Sequence, residues 1–341
     1  MLGALSKKDV PNNIPGVAWF DETGFRINTG FSERFTGNSL LPDFHRWIHM
    51  PSYLSRFSPV PVQTKLGCHF KCVYCTYRKI EGSDYRLCDT DTLVNEIIDL
   101  GERGMRDIEF VDNVFNSPYD HAIALCDTIV KFKTNIRLQT VELNPLFIDD
   151  NLIEMMEKAG FVGIGITVES AADPVLERLK KGYTSKEVYK SAEVVQRHKV
   201  PCLWIFMFGG PGETEETAQE TLDFAEKFIG ERDVALFMIG IRIYPGTELE
   251  KIARNEGLLR ISPLEMLEPV FYLSPNIQLA WLRKKIYASL SAHMNFINPK
   301  AMSLPFLPVM SSLGYWLGVK PPLWKQTRYI RRGLSWLGMD L

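Results

Sequence analysis

From about residue 61 the chain alternates two hydrophobic periods. Short apolar, β-branched runs fall at 60–66, 107–111, 136–141, 162–168, 202–208 and 234–243. Between them lie amphipathic stretches with helical spacing. In 92–101, Leu93 and Ile97 are four apart and Ile97 and Leu100 three apart, which puts them on one helix face. Similar faces run through 119–132, 149–159, 185–198 and 214–229, and Gly101 or Gly104, Gly160 and Gly230 stand where helices should end. Six strand–helix units in tandem predict an α/β fold with a parallel sheet and helices outside it. Residues 1–60 read as a lead-in with one small hairpin around Glu22-Thr23-Gly24, 61–257 as the α/β body, and 258–341 as a C-terminal extension.

The chemistry concentrates at 65–77, KLGCHFKCVYCTY, just after the first strand. Cys68, Cys72 and Cys75 have the spacing C-x3-C-x2-C. Three thiolates so spaced can bind three irons of a [4Fe–4S] cluster and leave the fourth iron without a protein ligand. Structural zinc would want a fourth ligand, and His69, the only nearby histidine, is adjacent to Cys68 and badly placed to supply it. A disulfide framework does not suit a 341-residue chain with six cysteines. Cys88, Cys126 and Cys202 are scattered singly and read as core residues. No GxxxxGK[ST] pattern supports nucleotide hydrolysis.

With Tyr74 as the aromatic of C-x3-C-x-(aromatic)-C, the segment resembles the radical S-adenosylmethionine (SAM) superfamily. The resemblance runs from about Gly16 to Ser274 and includes the turn YPGT at 244–247, similar to that of the cobalamin-type and methylthiotransferase-type branches. It implies a partial (β/α)6 barrel, a [4Fe–4S] cluster on Cys68, Cys72 and Cys75, and SAM chelated at the open iron. The reaction it implies is reductive cleavage of SAM to a 5′-deoxyadenosyl radical, which takes hydrogen from a substrate. The alternatives are a methyltransferase using cobalamin from a partner and a non-catalytic iron–sulfur subunit. Cobalamin itself is not expected: Asp43-Phe44-His45 lacks the spacing and the glycine of D-x-H-x-x-G, and the sequence begins within the linker that follows such a domain. The absence of a second cysteine-rich motif speaks against auxiliary clusters.

Barrel sites sit at the carboxyl ends of strands, and there the resemblance assigns SAM contacts. Tyr74 is expected to pack the adenine. Asp112 and Asn113, after the second strand, are expected near the SAM amino group, or else serve as a cap or turn pair. Gln139, Glu142 and Asn144 end the third strand and, as buried polar groups that need partners, are expected to face SAM or substrate. Glu169 and Ser170 end the fourth, with Asp173-Pro174 read as a helix start. Gly209, Gly210 and Gly212 form a turn resembling the one against the adenosyl group, with Thr214 or Glu213 as the helix cap. Arg242 alternates with Ile241 and Ile243 and is expected at the barrel mouth, facing the SAM carboxylate or an anionic substrate.

Composition adds little against this: 45% hydrophobic, 23% charged and a net charge of −2 describe a folded protein without a general nucleic-acid surface. The N-terminus shows no charged and then apolar leader, and an oxygen-labile cluster wants a reducing cytoplasm with flavodoxin or ferredoxin as electron donor. The tail is different. Nineteen uncharged residues separate Lys300 from Lys320, long enough for a span but interrupted by Pro305 and Pro308. Across 299–341 six basic residues face one acid, Asp340, among tryptophans and tyrosines. Two homes suit it equally: a membrane interface, which would make a lipid-like substrate plausible, or a lid over the barrel with its aromatics buried.

Overall fold

The computed structural model describes residues 14, 16–22, 24–28, 41, 44–262, 265–266, 268–300 and 307–336. Thr23, Asp43 and the tail segments 301–306 and 337–341 lie outside the described residues. The chain forms two compact units, Met1–Asn38 and Ser39–Leu341, so the segment after 257 belongs to the same unit as the sheet.

In the first unit, β1 (Ala18–Asp21) and β2 (Gly24–Ile27) form the expected hairpin, with Ala18 opposite Ile27 and Asp21 opposite Gly24. Phe20 and Phe25 face each other across it at 5.3 Å, and Arg26 pairs with Asp21 at 3.1 Å.

In the second unit the strands follow as β3 (Val60–Val62), β4 (Lys65–Leu66), β5 (Arg86–Leu87), β6 (Asp107–Phe110), β7 (Arg137–Leu143), β8 (Phe161–Glu169), β9 (Cys202–Phe208), β10 (Val234–Ile239), β11 (Ile241–Ile243), β12 (Val270–Tyr272) and β13 (Phe296–Ile297). Seven of them form one sheet in the order β13-β10-β9-β8-β7-β6-β3. Every pair in that sheet is parallel.

The long helices between strands start where the sequence supplies side-chain acceptors. Asp89 and Asp149 take the backbone N–H of Thr92 and Leu152, both at 2.8 Å, opening Thr90–Glu102 and Asp150–Ala159. Thr184 and Glu187 cap Ser185–Arg197 reciprocally, and Thr214 caps Glu215–Phe228. Toward these helices each strand presents a closed apolar face: Ile108 and Phe110, Ile164 and Ile166, Trp204 and Phe206 are all at most 1% exposed. The opposite face holds a smaller cluster of Leu203, Val234, Leu236 and Ile297, with Ile205 and Met238 beside it. Cys88, Cys126 and Cys202 are buried, as expected of core residues.

Three boundaries differ from the periodicity. The first run splits: only 60–62 joins the sheet, while Lys65–Leu66 pairs antiparallel with Arg86–Leu87. The sixth ends at Ile239, where Gly240 takes φ +82° and turns the chain into β11, which pairs antiparallel with β12. The third difference is β13, a seventh strand whose two residues are too few to show a period.

The tail packs against the sheet. Trp324 joins the inner cluster, Lys325 Nζ donates to Val162 O at 3.2 Å, and the Arg331 guanidinium donates to the carbonyls of Leu290, His293 and Phe296. The Lys325 contact lies at the amino-terminal end of β8, and those of Arg331 lie at the end of helix Leu279–Ala292 and the start of β13. Among the described residues no helix is long and apolar enough to cross a membrane. Gly163 makes the closure possible, because a Cβ there would lie 2.8 Å from Trp324 Cζ2 and 2.9 Å from Pro322 Cγ. Gly163→Val should therefore lower stability by about 1–3 kcal/mol in urea unfolding. The loss should shrink in a Trp324→Ala background, where one of the two clash partners is gone.

Candidate active site

The cysteines occupy the loop between β4 and the short helix Tyr77–Glu81, beyond the carboxyl end of β3. Backbone bonds hold this loop on several sides. Cys68 N–H donates to Gly82 O and Val73 N–H to Leu179 O, each at 3.1 Å; Leu249 N–H donates to Val73 O at 2.9 Å. Gly67 N–H donates to Glu81 Oε2 at 3.0 Å, and Asn113 Nδ2 to the same oxygen at 2.7 Å. Asn113 thus braces the loop from the end of β6. His69 stacks on Phe70 at 4.3 Å and meets Tyr85 edge-on, turned into the aromatic packing.

Cys68 is buried, and Cys72 and Cys75 are half-buried. Burial pushes the Cys68 thiol up to about 11, with Cys75 and Cys72 adding to it. Burial also raises Cys72, opposed by the Lys181 cation. The three sulfurs thus feel one another, yet among the described residues no His, Cys, Asp or Glu set converges on a single ion. A cluster spans its ligands through several irons and does not need that convergence.

Behind the loop lies a buried network. Tyr74 Oη donates to Glu169 Oε1 at 2.5 Å; Lys181 Nζ donates to the same oxygen at 2.7 Å and to Tyr74 Oη at 3.0 Å. Glu169 is 4% and Lys181 5% exposed. Burial pulls the Lys181 ammonium down, but Glu169, Tyr183, Tyr74 and Cys72 together hold it well above its usual range. Glu169 has φ +60° at an irregularity of β8 against β9, and the Tyr183 hydroxyl donates to Thr167 O and Val168 O beside it. A left-handed acid at a strand irregularity is strained backbone held by its surroundings. Its second oxygen, Oε2, is buried without a partner. Such an atom asks for a ligand.

The remaining expected residues divide. Asp112 does not face the mouth. Its carboxylate accepts from Thr64 N at 2.8 Å, Thr64 Oγ1 at 2.7 Å and Lys65 N at 3.3 Å, and pairs with Lys65 Nζ at 3.1 Å, so both oxygens are spent inside. Ser170 is likewise internal, its Oγ on Thr221 Oγ1 and accepting from Ala172 N–H. Tyr74 directs its hydroxyl into the Glu169 network, leaving its backbone toward the loop. Gly209 and Gly210 give their N–H groups to Glu213 Oε2, so Glu213 closes the turn and Thr214 caps the helix. Burial lifts Glu213 to about 7, against those two N–H groups. At Gly209, with φ +91°, a Cβ would lie 2.4 Å from Leu273 Cδ1, so only glycine fits. Arg242 belongs to the β11–β12 ribbon and not to the sheet; it is exposed and lies over the Tyr244 ring at 4.7 Å.

Of the third-strand trio, Asn144 is bonded to Asn116 and Gln139 to Glu109. Glu142 faces the site: burial and Glu169 push it up to about 8, with Lys181 opposing and Glu109 adding. The sequence reading missed Lys181. In ERLKKGY it resembles an ordinary basic helix end, but the helix stops at Leu179, Lys180 turns left-handed with φ +55°, and Lys181 swings inward.

Residues 62–225 match the radical SAM superfamily. That segment, just under half of the chain, resembles the superfamily. Over 247 residues it is 28% identical to an uncharacterized methyltransferase of Pyrococcus horikoshii, covering 71% of this chain and 52% of the relative. Over 204 residues it is 26% identical to the tryptophan 2-C-methyltransferase of Streptomyces laurentii, covering 56% of this chain and 34% of the relative. It therefore spans about half of these curated relatives or less. Its fold is that of the radical SAM methyltransferase TsrM from Kitasatospora setae, solved with cobalamin and a [4Fe–4S] cluster bound: TM-score 0.77 at 21% identity, covering 98% of this chain and 74% of that one.

The superfamily matched over 62–225 uses a [4Fe–4S] cluster and SAM. The residues fit them: three thiols on one pinned loop, with a carboxylate oxygen left unpaired behind it. Asp112 stands apart from that chemistry, and Asp112→Ala should act on stability. Leaving the buried Lys65 cation without its carboxylate should cost about 3–5 kcal/mol in denaturant unfolding, with far less lost in Asn113→Ala.

Proposed function

We propose that this chain cleaves SAM reductively at a cluster held by Cys68, Cys72 and Cys75 and uses the product to take hydrogen from a substrate C–H bond. The observation that carries this is the unpaired buried Oε2 of Glu169 beside the cysteine loop. When bound, the cluster and SAM supply one electron and a 5′-deoxyadenosyl radical. The chain's own part is to bind, orient and exclude water. Glu169 Oε2 is the acceptor offered to the hydroxyl or ammonium groups of SAM, with Lys181 and Tyr74 fixing the carboxylate through its other oxygen. The Gly209–Gly210 turn gives the adenosyl group close backbone approach. Arg242, on Tyr244, is the exposed cation available to a carboxylate. A flavodoxin or ferredoxin is the expected electron donor, and a reducing cytoplasm the compartment this chemistry requires.

The names of the relatives favour a second reading, radical methyl transfer, for which cobalamin would come from a partner. One assay separates the two. After anaerobic reconstitution, SAM carrying a labelled methyl group is added with dithionite, with and without cobalamin, and nucleoside products are read by mass. Hydrogen abstraction predicts 5′-deoxyadenosine from the wild type and none from any single Cys→Ala variant. Labelled methyl on an acceptor only when cobalamin is present would move the assignment to methyl transfer. A loaded cluster that leaves SAM intact under all conditions would contradict both and point to a non-catalytic subunit.

The tail adds a surface to this reading. Helix Leu307–Trp316 carries no charge, and Val309, Leu313 and Trp316 are 71%, 59% and 81% exposed. Lys320 and Arg332 are exposed nearby in sequence. We propose that this helix lies in a membrane interface. Sedimentation with anionic liposomes should fall in Val309→Asp/Leu313→Asp, and unchanged sedimentation would rule the contact out.

A further inference from the structure

A cavity lies at the carboxyl end of β10. About 730 Å³ in volume, it is bounded by β10, the β12 strand, helix Leu279–Ala292 and the residues after β13. Its size is that of a small-molecule site. Phe237, Ile239, Phe271 and Leu273 give it apolar walls. On the helix, Leu279, Arg283, Ile286 and Tyr287 recur at the spacing of one face, so that face as a whole turns to the cavity.

The charge is one-sided. Arg283 and Lys300 both line the cavity, and among its described lining residues there is no acidic side chain. Arg283 opens a run of three cations, of which Lys285 already lies over the Trp281 ring at 5.6 Å. Tyr287 and Asn298 also line it, and Asn298 Oδ1 accepts from Lys300 N–H at 3.0 Å. An apolar chamber with two cations and no acid selects an apolar body ending in an anion.

The cavity also backs onto the glycine turn. Leu273, one of its walls, is the side chain that a Cβ on Gly209 would strike, and the neighbouring Ser274 N–H donates to Gly209 O at 2.9 Å. Gly240, another wall, donates its N–H to Phe208 O at 2.8 Å. Leu273 therefore borders both this chamber and the turn.

We propose that this cavity binds an amphiphilic small molecule with one carboxylate or phosphate, its anion held by Arg283 and Lys300 and its chain lying along Phe237, Ile239 and Leu273. The test is calorimetry on the full chain with its cluster reconstituted, without SAM or reductant, using decanoate, decyl phosphate, decanol and inorganic phosphate below micelle-forming concentrations. Decanoate or decyl phosphate should bind with one-to-one stoichiometry, and whichever binds tighter identifies the head group. Arg283→Ala/Lys300→Ala, at two exposed positions, should weaken that probe by about tenfold or more. Phe271→Glu, also exposed, should weaken it further by placing an acid in the chamber.

Decanol binding as tightly as the charged probes would overturn the proposal, as would inorganic phosphate matching decyl phosphate. So would affinities unchanged in both variants, or no binding by any chain-bearing probe. Because the readout needs no SAM cleavage, its failure would leave the reading of the cysteine site standing, and the converse holds too.

Discussion

A single buried carboxylate oxygen ties the cysteine loop to the sheet. Glu169 Oε1 accepts from both Tyr74, which stands between two of the cysteines in sequence, and Lys181, which comes from the turn after the next helix. A buried charge without its partner would cost several kcal/mol, so loop, strand end and turn hold one another in place. The strained backbone at Glu169 fits the same constraint, since a left-handed acid persists only where its surroundings fix it. What the network leaves over is Oε2, and that remainder is where the site's chemistry begins.

Much of the architecture was legible because it obeys local rules. The helix at Tyr119–Phe132 and strand β9 fall where the hydrophobic period places them, and Asp149, Thr184 and Thr214 cap as their side chains suggest. The errors have physical causes. Residues 234–243 read as one apolar strand because composition does not show that Gly240 reverses the chain, so Arg242 left the sheet for a ribbon. Strand β13 was hidden by its length.

The site was legible as a location more than as a set of contacts. The cysteine spacing marked the loop, and the strand-end rule marked the residues around it. Polar residues at strand ends, however, serve two masters. Asp112 and Ser170 turned out to satisfy buried backbone and hydroxyl groups, whereas Glu169 kept an oxygen free of protein partners. Sequence cannot tell these cases apart, because the difference lies in which donors the fold brings within reach. Lys181 shows the same limit from the other side, a surface-like lysine made internal by one left-handed residue before it.

The proposed chemistry depends on Cys68, Cys72 and Cys75 holding a [4Fe–4S] cluster with one iron left open to SAM. The direct measurement is electron paramagnetic resonance of the reconstituted, dithionite-reduced chain before and after SAM is added. The expected result is a reduced-cluster signal that changes shape on SAM addition, as binding at an open iron would cause, and that is absent when the three cysteines are replaced by alanine. A signal indifferent to SAM, or one that survives the triple replacement, would contradict it.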